Sequence, residues 1–270
     1  MIDRTQSSEE LKSCCAALYE HDWASLLLGD SFHPGGLALT QRLGQLLELQ
    51  PGQRVLDVAA GQGTSAIFLA QVFGCQVVGV DYSSTVIAKA TIEAEQAGLA
   101  DRVCFEQGDA ENLRFEDGSF DAIICECAFC IFPDKPAATS EFARVLRQGG
   151  RIGLSELTRT GSLPPELETL LAWIACIADA LPLEDYAARL EAAGFEVDCL
   201  EPQPGALNEM IRQVQAKLLG AEVMLKLNML DLSPLDLEQA KALLRHTTQA
   251  VQEGKLGYAL VAGRKSWQYP

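Results

Sequence analysis

Apolar residues along this chain gather in short unbroken runs, separated by longer stretches in which they recur every three or four positions. The runs are VLDV at 55–58, QVVGV at 76–80, RVCFEQ at 102–107, FDAIICE at 120–126 and RIGLSEL at 151–157. Runs of that length read as strands buried on both faces, and the helical spacing between them as crossovers, which predicts a parallel sheet covered by helices. Helical patterns at 8–19 and 36–48 precede the first strand, joined through the Pro and Gly of HPGG, so residues 1–50 form a helical N-terminal segment. After the fifth strand the spacing predicts a helix over 165–178, a second over 183–193 closed by Gly194, and a strand FEVDCLE. Two long helical patterns, 206–219 and 234–252, precede a last apolar run, LGYALVAGRK. The expected fold class is therefore α/β: a doubly wound, mostly parallel, seven-stranded Rossmann-like sheet. Its organisation reads as helical segment 1–50, core 51–204, helical insertion 205–253, and terminal strand of the core 254–270.

Composition narrows the function. Among 270 residues, 21 Lys and Arg stand against 37 Asp and Glu, a formal charge of −16, which argues against binding a phosphate backbone. Neither nucleic acid nor membrane is an expected partner. The opening MIDRTQSSEELKSCC lacks the cationic end and apolar core of a signal peptide, and no apolar run approaches a membrane span, so a cytoplasmic location is expected. In that compartment the nine cysteines are expected to be thiols rather than a disulfide framework.

The chemistry begins at RVLDVAAGQGTSAIFLA, residues 54–70, where a strand breaks into a Gly61-x-Gly63 turn and resumes as a helix. With Ala66 this satisfies G-x-G-x-x-G/A, a pattern that suits several nucleotides. Asp57 lies inside the first strand, and Asp81 ends the second, placed to accept ribose hydroxyls. Up to this point NAD fits equally well.

GDAENLRFEDGSFDAIICE at 108–126 and FARVLRQGGRIGLSE at 142–156 separate the possibilities. Over 52–157 the chain resembles class I S-adenosylmethionine-dependent methyltransferases. The resemblance implies S-adenosyl-L-methionine as cofactor, no binding of NAD, Asp109 against the adenine amino group, and 144–150 as the turn into strand five. It points to Asp57, Ala59, Gly61, Gly63, Asp81, Tyr82, Asp109, Ala110 and Glu126 as cofactor-binding residues. Ala59 departs from the family, which has a glycine there; an alanine is expected to keep φ negative and alter the turn slightly. Each acid also has a plainer reading: Asp57 as a cap of the turn, Asp81 as the N-cap of a helix over 83–96, Asp109 as the start of a further helix.

The acceptor is read from the residues after strand four. An N-P-P-Y motif, which would mark a nucleic-acid or protein substrate, is missing; the position reads Glu126-Cys127-Ala128-Phe129-Cys130. From 123 to 157 the chain looks like arsenite methyltransferases, with Cys127 matching that family's cysteine and Pro133-Asp134-Lys135 its turn. ACIADALPLEDYAARLEAAGF at 175–195 makes Cys176 the second matching thiol. In that family three thiolates hold trivalent arsenic with its lone pair toward the sulfonium methyl, and soft sulfur suits a soft metalloid. Remaining thiolates are expected from Cys14 and Cys15 on an N-terminal lid. Cys127, Cys176, Cys14 and Cys15 are thus the candidate catalytic thiols, with a thiol reductant as co-reactant. Ala178-Asp179 replaces the family's Gly-Gly, and the cysteine-rich tail is missing, which points to a relative with another acceptor as an alternative.

Each cysteine is equally at home as a small buried hydrophobe; Cys130 is read that way, as are Cys75, Cys104, Cys125 and Cys199 on or beside strands. His33 is either a base near the cap or a turn histidine bonded to backbone. Tyr19, Asp22 and Trp23 either line the lid or pack a helix. The functional reading is a methyltransferase for a thiolate-held metalloid such as arsenite. Its alternatives are methylation of a quinone or phenol-like molecule, since GDAENLRFEDGSFD also resembles quinone-biosynthesis methyltransferases, and a non-catalytic sensor of cofactor or metalloid.

Overall fold

A computed structural model describes residues 7–29, 31–227 and 236–267. Seven strands form one sheet: β1 (Arg54–Val58), β2 (Gln76–Asp81), β3 (Val103–Gln107), β4 (Phe120–Glu126), β5 (Leu146–Arg159), β6 (Phe195–Pro202) and β7 (Leu256–Lys265). They lie in the order β3-β2-β1-β4-β5-β7-β6, parallel except for β7, which runs antiparallel to both β5 and β6. The reversal between β1 and β4 opens a crevice at the carboxyl ends of these strands, where ligands bind in such sheets.

Alternation along the strands divides the core into two layers. Leu56, Val58, Ile123, Cys125, Ile152 and Leu154 face α6 (Lys135–Val145) and α8 (Leu183–Ala192), packing on Phe142, Tyr186 and Leu190. Val55, Val77, Ala122 and Ile124 face α3 (Gly36–Leu46) and α4 (Thr64–Phe73), against Leu43, Leu47 and Leu69. α5 (Ser84–Gln96) completes that layer with Ala94. Above the strand ends lie α1 (Ser8–Tyr19), α2 (Asp22–Leu28), α7 (Leu170–Ile174), α9 (Ala206–Lys226) and α10 (Leu237–Gln252). Trp23, Leu27, Leu218 and Ala221 form a separate small core between α2 and α9, so these upper helices pack on one another as well as on the sheet.

Several local expectations are corrected. The gap between β3 and β4 holds no helix: Asp109 forms only an isolated bridge with Asn112, and Arg144 pins the segment through the carbonyls of Leu113 and Phe115. Twelve residues rich in Gly, Asp and Asn favour turns over a crossover helix. The helix expected over 165–178 breaks into a 3-10 turn at Pro165–Leu167, α7 with Thr169 as N-cap, and a turn carrying Cys176 at φ 63. A left-handed residue ends the helix there. β5 starts five residues earlier than its apolar run because Leu146 pairs Phe120 across a bulge. α9 continues through Gly220 to Lys226. Residues 234 and 235, expected to start the last helix, lie outside the described residues. Cys104, expected to be buried, is exposed on edge strand β3.

Candidate active site

The residues around the Gly-x-Gly turn and the neighbouring strand ends converge on one cavity of about 130 Å³. Its wall includes Ala59, Gly61, Asp81, Tyr82, Asp109, Ala110, Glu126 and Cys127, all at or just past the carboxyl ends of β1 to β4. Gly63 does not line it. At φ 77 it N-caps α4, and a Cβ there would stand 2.3 Å from the Phe105 ring, so the close approach of turn and sheet demands glycine. Ala59 does not keep φ negative as expected. It adopts φ 58, the glycine-like conformation, and its amide neighbour Ala60 donates to the Val80 carbonyl, so the turn keeps its path at the cost of local strain.

The carboxylates have distinct environments. Asp81 accepts from the Gly61 and Ser83 amides at 3.0 and 2.9 Å, tying the turn to α5, while the Ser83 hydroxyl rather than Asp81 caps that helix. Burial raises its pKa against these hydrogen bonds. Asp57 is buried beneath the turn with Oδ2 unpaired, and burial, then Glu126 and Asp81, push its carboxyl well up. An unpaired buried carboxylate oxygen beside two further acids is a place for a cationic group. Glu126 accepts from Ser65 at 2.6 Å and from Thr40. His33, also buried, lies 3.6 Å from Glu126 and contacts Thr40 and the Pro34 carbonyl, which places it below the cavity in the Glu126 network.

α1 closes over this cavity. Lys12, to which no motif points, bonds Asp109 at 2.8 Å and also Glu111, while the Ser83 hydroxyl donates to Glu20 at 2.6 Å. Three polar contacts, two from Lys12 and one at the C-cap Glu20, therefore hold the helix down. A charge at helical position 12 carries no signal of its tertiary partner 97 residues away. Cys15 faces the cavity wall but is packed with Trp173 and Ile174, and burial raises its thiol far above the usual range. Cys14 packs beside the same cluster.

Beyond the cavity lies a second chamber of about 170 Å³, walled by apolar residues of α1, α2, α7, α9 and α10. Leu171, Ile177, Leu207, Ile211, Leu218 and Leu244 are typical of its lining. Three side chains line both spaces: Tyr19, Phe32 and Cys127. They form the neck between them. Tyr19 donates to the Ile174 carbonyl at 2.9 Å and its ring meets Phe32 at 5.5 Å. Burial keeps its phenol protonated. Trp23 lines the apolar chamber; the side chain of Asp22 lies outside the described residues.

Cys127 and Cys176 are brought together. The Cys176 thiol donates to the Cys127 carbonyl at 2.8 Å and packs in one cluster with Cys130 and Cys127. Those contacts and burial push the Cys176 thiol well up, and burial pushes Cys130 up to about 12. Cys130, expected to serve packing alone, thus joins the cluster. Neither Cys14 nor Cys15 is among these contacts, and among the described residues no group of three or more His, Cys, Asp and Glu is arranged to hold a metal ion.

Glu156 on β5 is fully buried behind the Cys127 turn, and burial pushes it up to about 7 although backbone amides oppose the shift. The unfolded chain ionises it near 4.5. The folded state holds the extra proton between those values, so this group's contribution to stability is full below about pH 4.5 and is lost as pH rises through about 7. Glu156→Gln, which cannot ionise, is expected to gain on the native protein by on the order of 2–3 kcal/mol between pH 4.5 and 8. Urea denaturation at the two ends of that window measures it; a constant difference assigns the pH dependence elsewhere.

A family model described as a methyltransferase domain matches residues 49–213. The 27-O-demethylrifamycin SV methyltransferase of Amycolatopsis mediterranei is 30% identical over 230 residues, 84% of this chain and 82% of that protein. An arsenite methyltransferase of Halobacterium salinarum is 32% identical, over 57% of this chain and 40% of its own length. A further curated relative is spanned over only 62% of its length. Among solved structures, phosphoethanolamine N-methyltransferase 2 of Haemonchus contortus, in complex with S-adenosyl-L-methionine, superposes with a TM-score of 0.74 at 21% identity, over 98% of this chain and 59% of that one, a likeness of fold. No helix among the described residues is long and apolar enough to cross a membrane.

Proposed function

The chain belongs to the methyltransferase-domain family, and on that premise we propose that it uses S-adenosylmethionine as its cofactor to methylate a largely apolar small molecule of the quinone or phenol type. The observation that carries this reading is the neck: an acid-lined cavity and an apolar chamber meet at Tyr19, Phe32 and Cys127. The acid-lined cavity suits the cofactor, whose amino group and sulfonium are cationic and whose ribose offers two hydroxyls. Asp81 and Asp109 are the residues to hold ribose and adenine, and Glu126 on the cavity wall, with Asp57 buried beside it in an adjoining pocket rather than on that wall, favours the positive end. When bound, the cofactor supplies an already activated methyl group, so the chain's task is alignment and exclusion of water.

The chamber's lining also constrains the acceptor. Its polar side chains are Tyr19, Trp23, Cys127 and Thr247; no carboxylate or histidine lines it among the described residues. With Tyr19 kept protonated by burial, the acceptor best served is one that sheds its own proton readily, as an acidic phenol, hydroquinone or enol does. Apolar walls from α9 and α10 bind the remainder of such a molecule at roughly 25 cal/mol per Å² buried.

A second reading keeps the metalloid. Its support is the packing of Cys127, Cys130 and Cys176 in one cluster, together with the arsenite methyltransferase relative. Against it stand the neighbouring cysteines and burial, which hold Cys176 as a thiol, and burial, which does the same for Cys130, whereas soft coordination requires thiolates. Methyl-labelled cofactor offered with alkyl-substituted hydroquinones and phenols, and separately with arsenite plus a thiol reductant, distinguishes the two. Label in an organic-extractable ether or C-methyl product is the expected result. If arsenic alone acquires the label, and Cys127→Ser and Cys176→Ser each abolish that transfer with cofactor affinity retained, the metalloid reading replaces the first.

A further inference from the structure

β4 and β5 pair as far as Glu126 with Ser155, and there the β4 chain leaves the sheet. The Cys127 amide makes one more contact, to the Ser155 carbonyl at 2.7 Å, and Cys127 then turns through φ 53. The next two amides, Ala128 and Phe129, both donate to a single atom, Oε1 of Glu156, at 3.0 and 2.8 Å. Oε2 of the same carboxylate has no partner, and the side chain is completely enclosed. Cys125 on β4, Cys130 on the turn, Tyr186 on α8 and Tyr258 on β7 are the titratable groups around it. A fold needing only to fill this space would use an apolar residue, since a buried carboxylate with one idle oxygen is costly. A non-glycine residue in the left-handed region persists where its surroundings fix it, and here the following two amides are fixed by one acceptor.

We propose that Glu156 is a positioning residue: by gripping the amides of Ala128 and Phe129 it fixes the turn that presents Cys127 at the neck between cofactor cavity and apolar chamber. It touches neither space itself, and acts on transfer only through the wall it holds. That consequence rests on the neck being where acceptor meets cofactor, as proposed above.

The test needs no acceptor. In the full chain, Glu156→Gln keeps an oxygen for both amides, whereas Glu156→Met fills the same volume and accepts nothing; if the Met variant does not fold, Glu156→Asp, which withdraws the carboxylate by one methylene, is read in its place. The readouts are the rate at which iodoacetamide alkylates Cys127, followed by peptide mass spectrometry with and without S-adenosylhomocysteine, and the affinity for S-adenosylhomocysteine by calorimetry. The Gln variant is expected to match the native protein in both, while the Met variant alkylates about tenfold faster as the turn opens, with cofactor-product affinity held to within about threefold. Unchanged alkylation in the Met variant overturns the proposal. So does a Gln variant as fast as Met, which assigns the effect to charge, or a parallel collapse of affinity, which makes Glu156 a general structural support. Failure to find a methylated organic acceptor leaves these rates unaffected and counts against the function alone.

Discussion

Replacing Asp81 with alanine is expected to weaken binding of S-adenosylhomocysteine at least tenfold, and toward a hundredfold if both ribose hydroxyls are lost. Charge-assisted hydrogen bonds are worth roughly 1.5–3 kcal/mol each, and about 1.4 kcal/mol is a factor of ten. Asp81 has a second task that enlarges the effect: its two oxygens also accept the Gly61 and Ser83 amides, so alanine unties the Gly-x-Gly turn from the start of α5. Asp81→Asn, which keeps an acceptor oxygen and loses the charge, is expected to fall between the two. Calorimetry on the three proteins measures the series, with thermal melting as a check that the sheet is intact. An Asp81→Ala protein with native affinity removes this residue from the cofactor site.

Removing residues 1–20 is expected to have the other large effect. The segment carries Lys12, Cys15, Ala16 and Tyr19, four lining residues of the cavity proposed for the cofactor, and Glu20, which receives the Ser83 hydroxyl. Without it the cavity opens to water and the neck loses Tyr19, so turnover is expected to fall by about a hundredfold or more even at saturating cofactor. The double substitution Cys14→Ser, Cys15→Ser leaves the helix in place. It is expected to retain turnover within about threefold, because Cys15 packs against Trp173 and Ile174 with its thiol held protonated. An equal loss in both proteins would assign the effect to sulfur, and with it restore the N-terminal thiols as ligands of a metalloid acceptor.

The seven-strand sheet and the acids at its strand ends were legible because both obey local rules. Buried parallel strands demand uninterrupted Val, Ile and Leu runs, and a carboxylate that ends such a run stands at the edge of the sheet whatever the rest of the chain does. Ala59 shows the limit of the same rule. Its side chain favours negative φ, yet the surrounding turn, held through Ala60 and Val80 on one side and Asp81 with Gly61 on the other, imposes φ 58. The helix expected over 165–178 fails for a related reason: its apolar spacing is helical, but the positions serve a broken wall of the chamber, and Cys176 turns the chain.

The order of strands and helices and the acids at the carboxyl edge of the sheet are written in the chain itself, each a consequence of local pattern within a few turns or strands. Which of these surfaces meet is settled by packing alone. Lys12 finds Asp109, Cys130 joins Cys127 and Cys176, Glu156 takes the amides of the facing strand's turn, and α1, α7, α9 and α10 enclose an apolar chamber. Most of these contacts join segments separated by tens of residues or more. Side-chain type and spacing report the face a residue presents along its own element; its partner is set by how the elements pack, and so is the chemistry that the pair can perform.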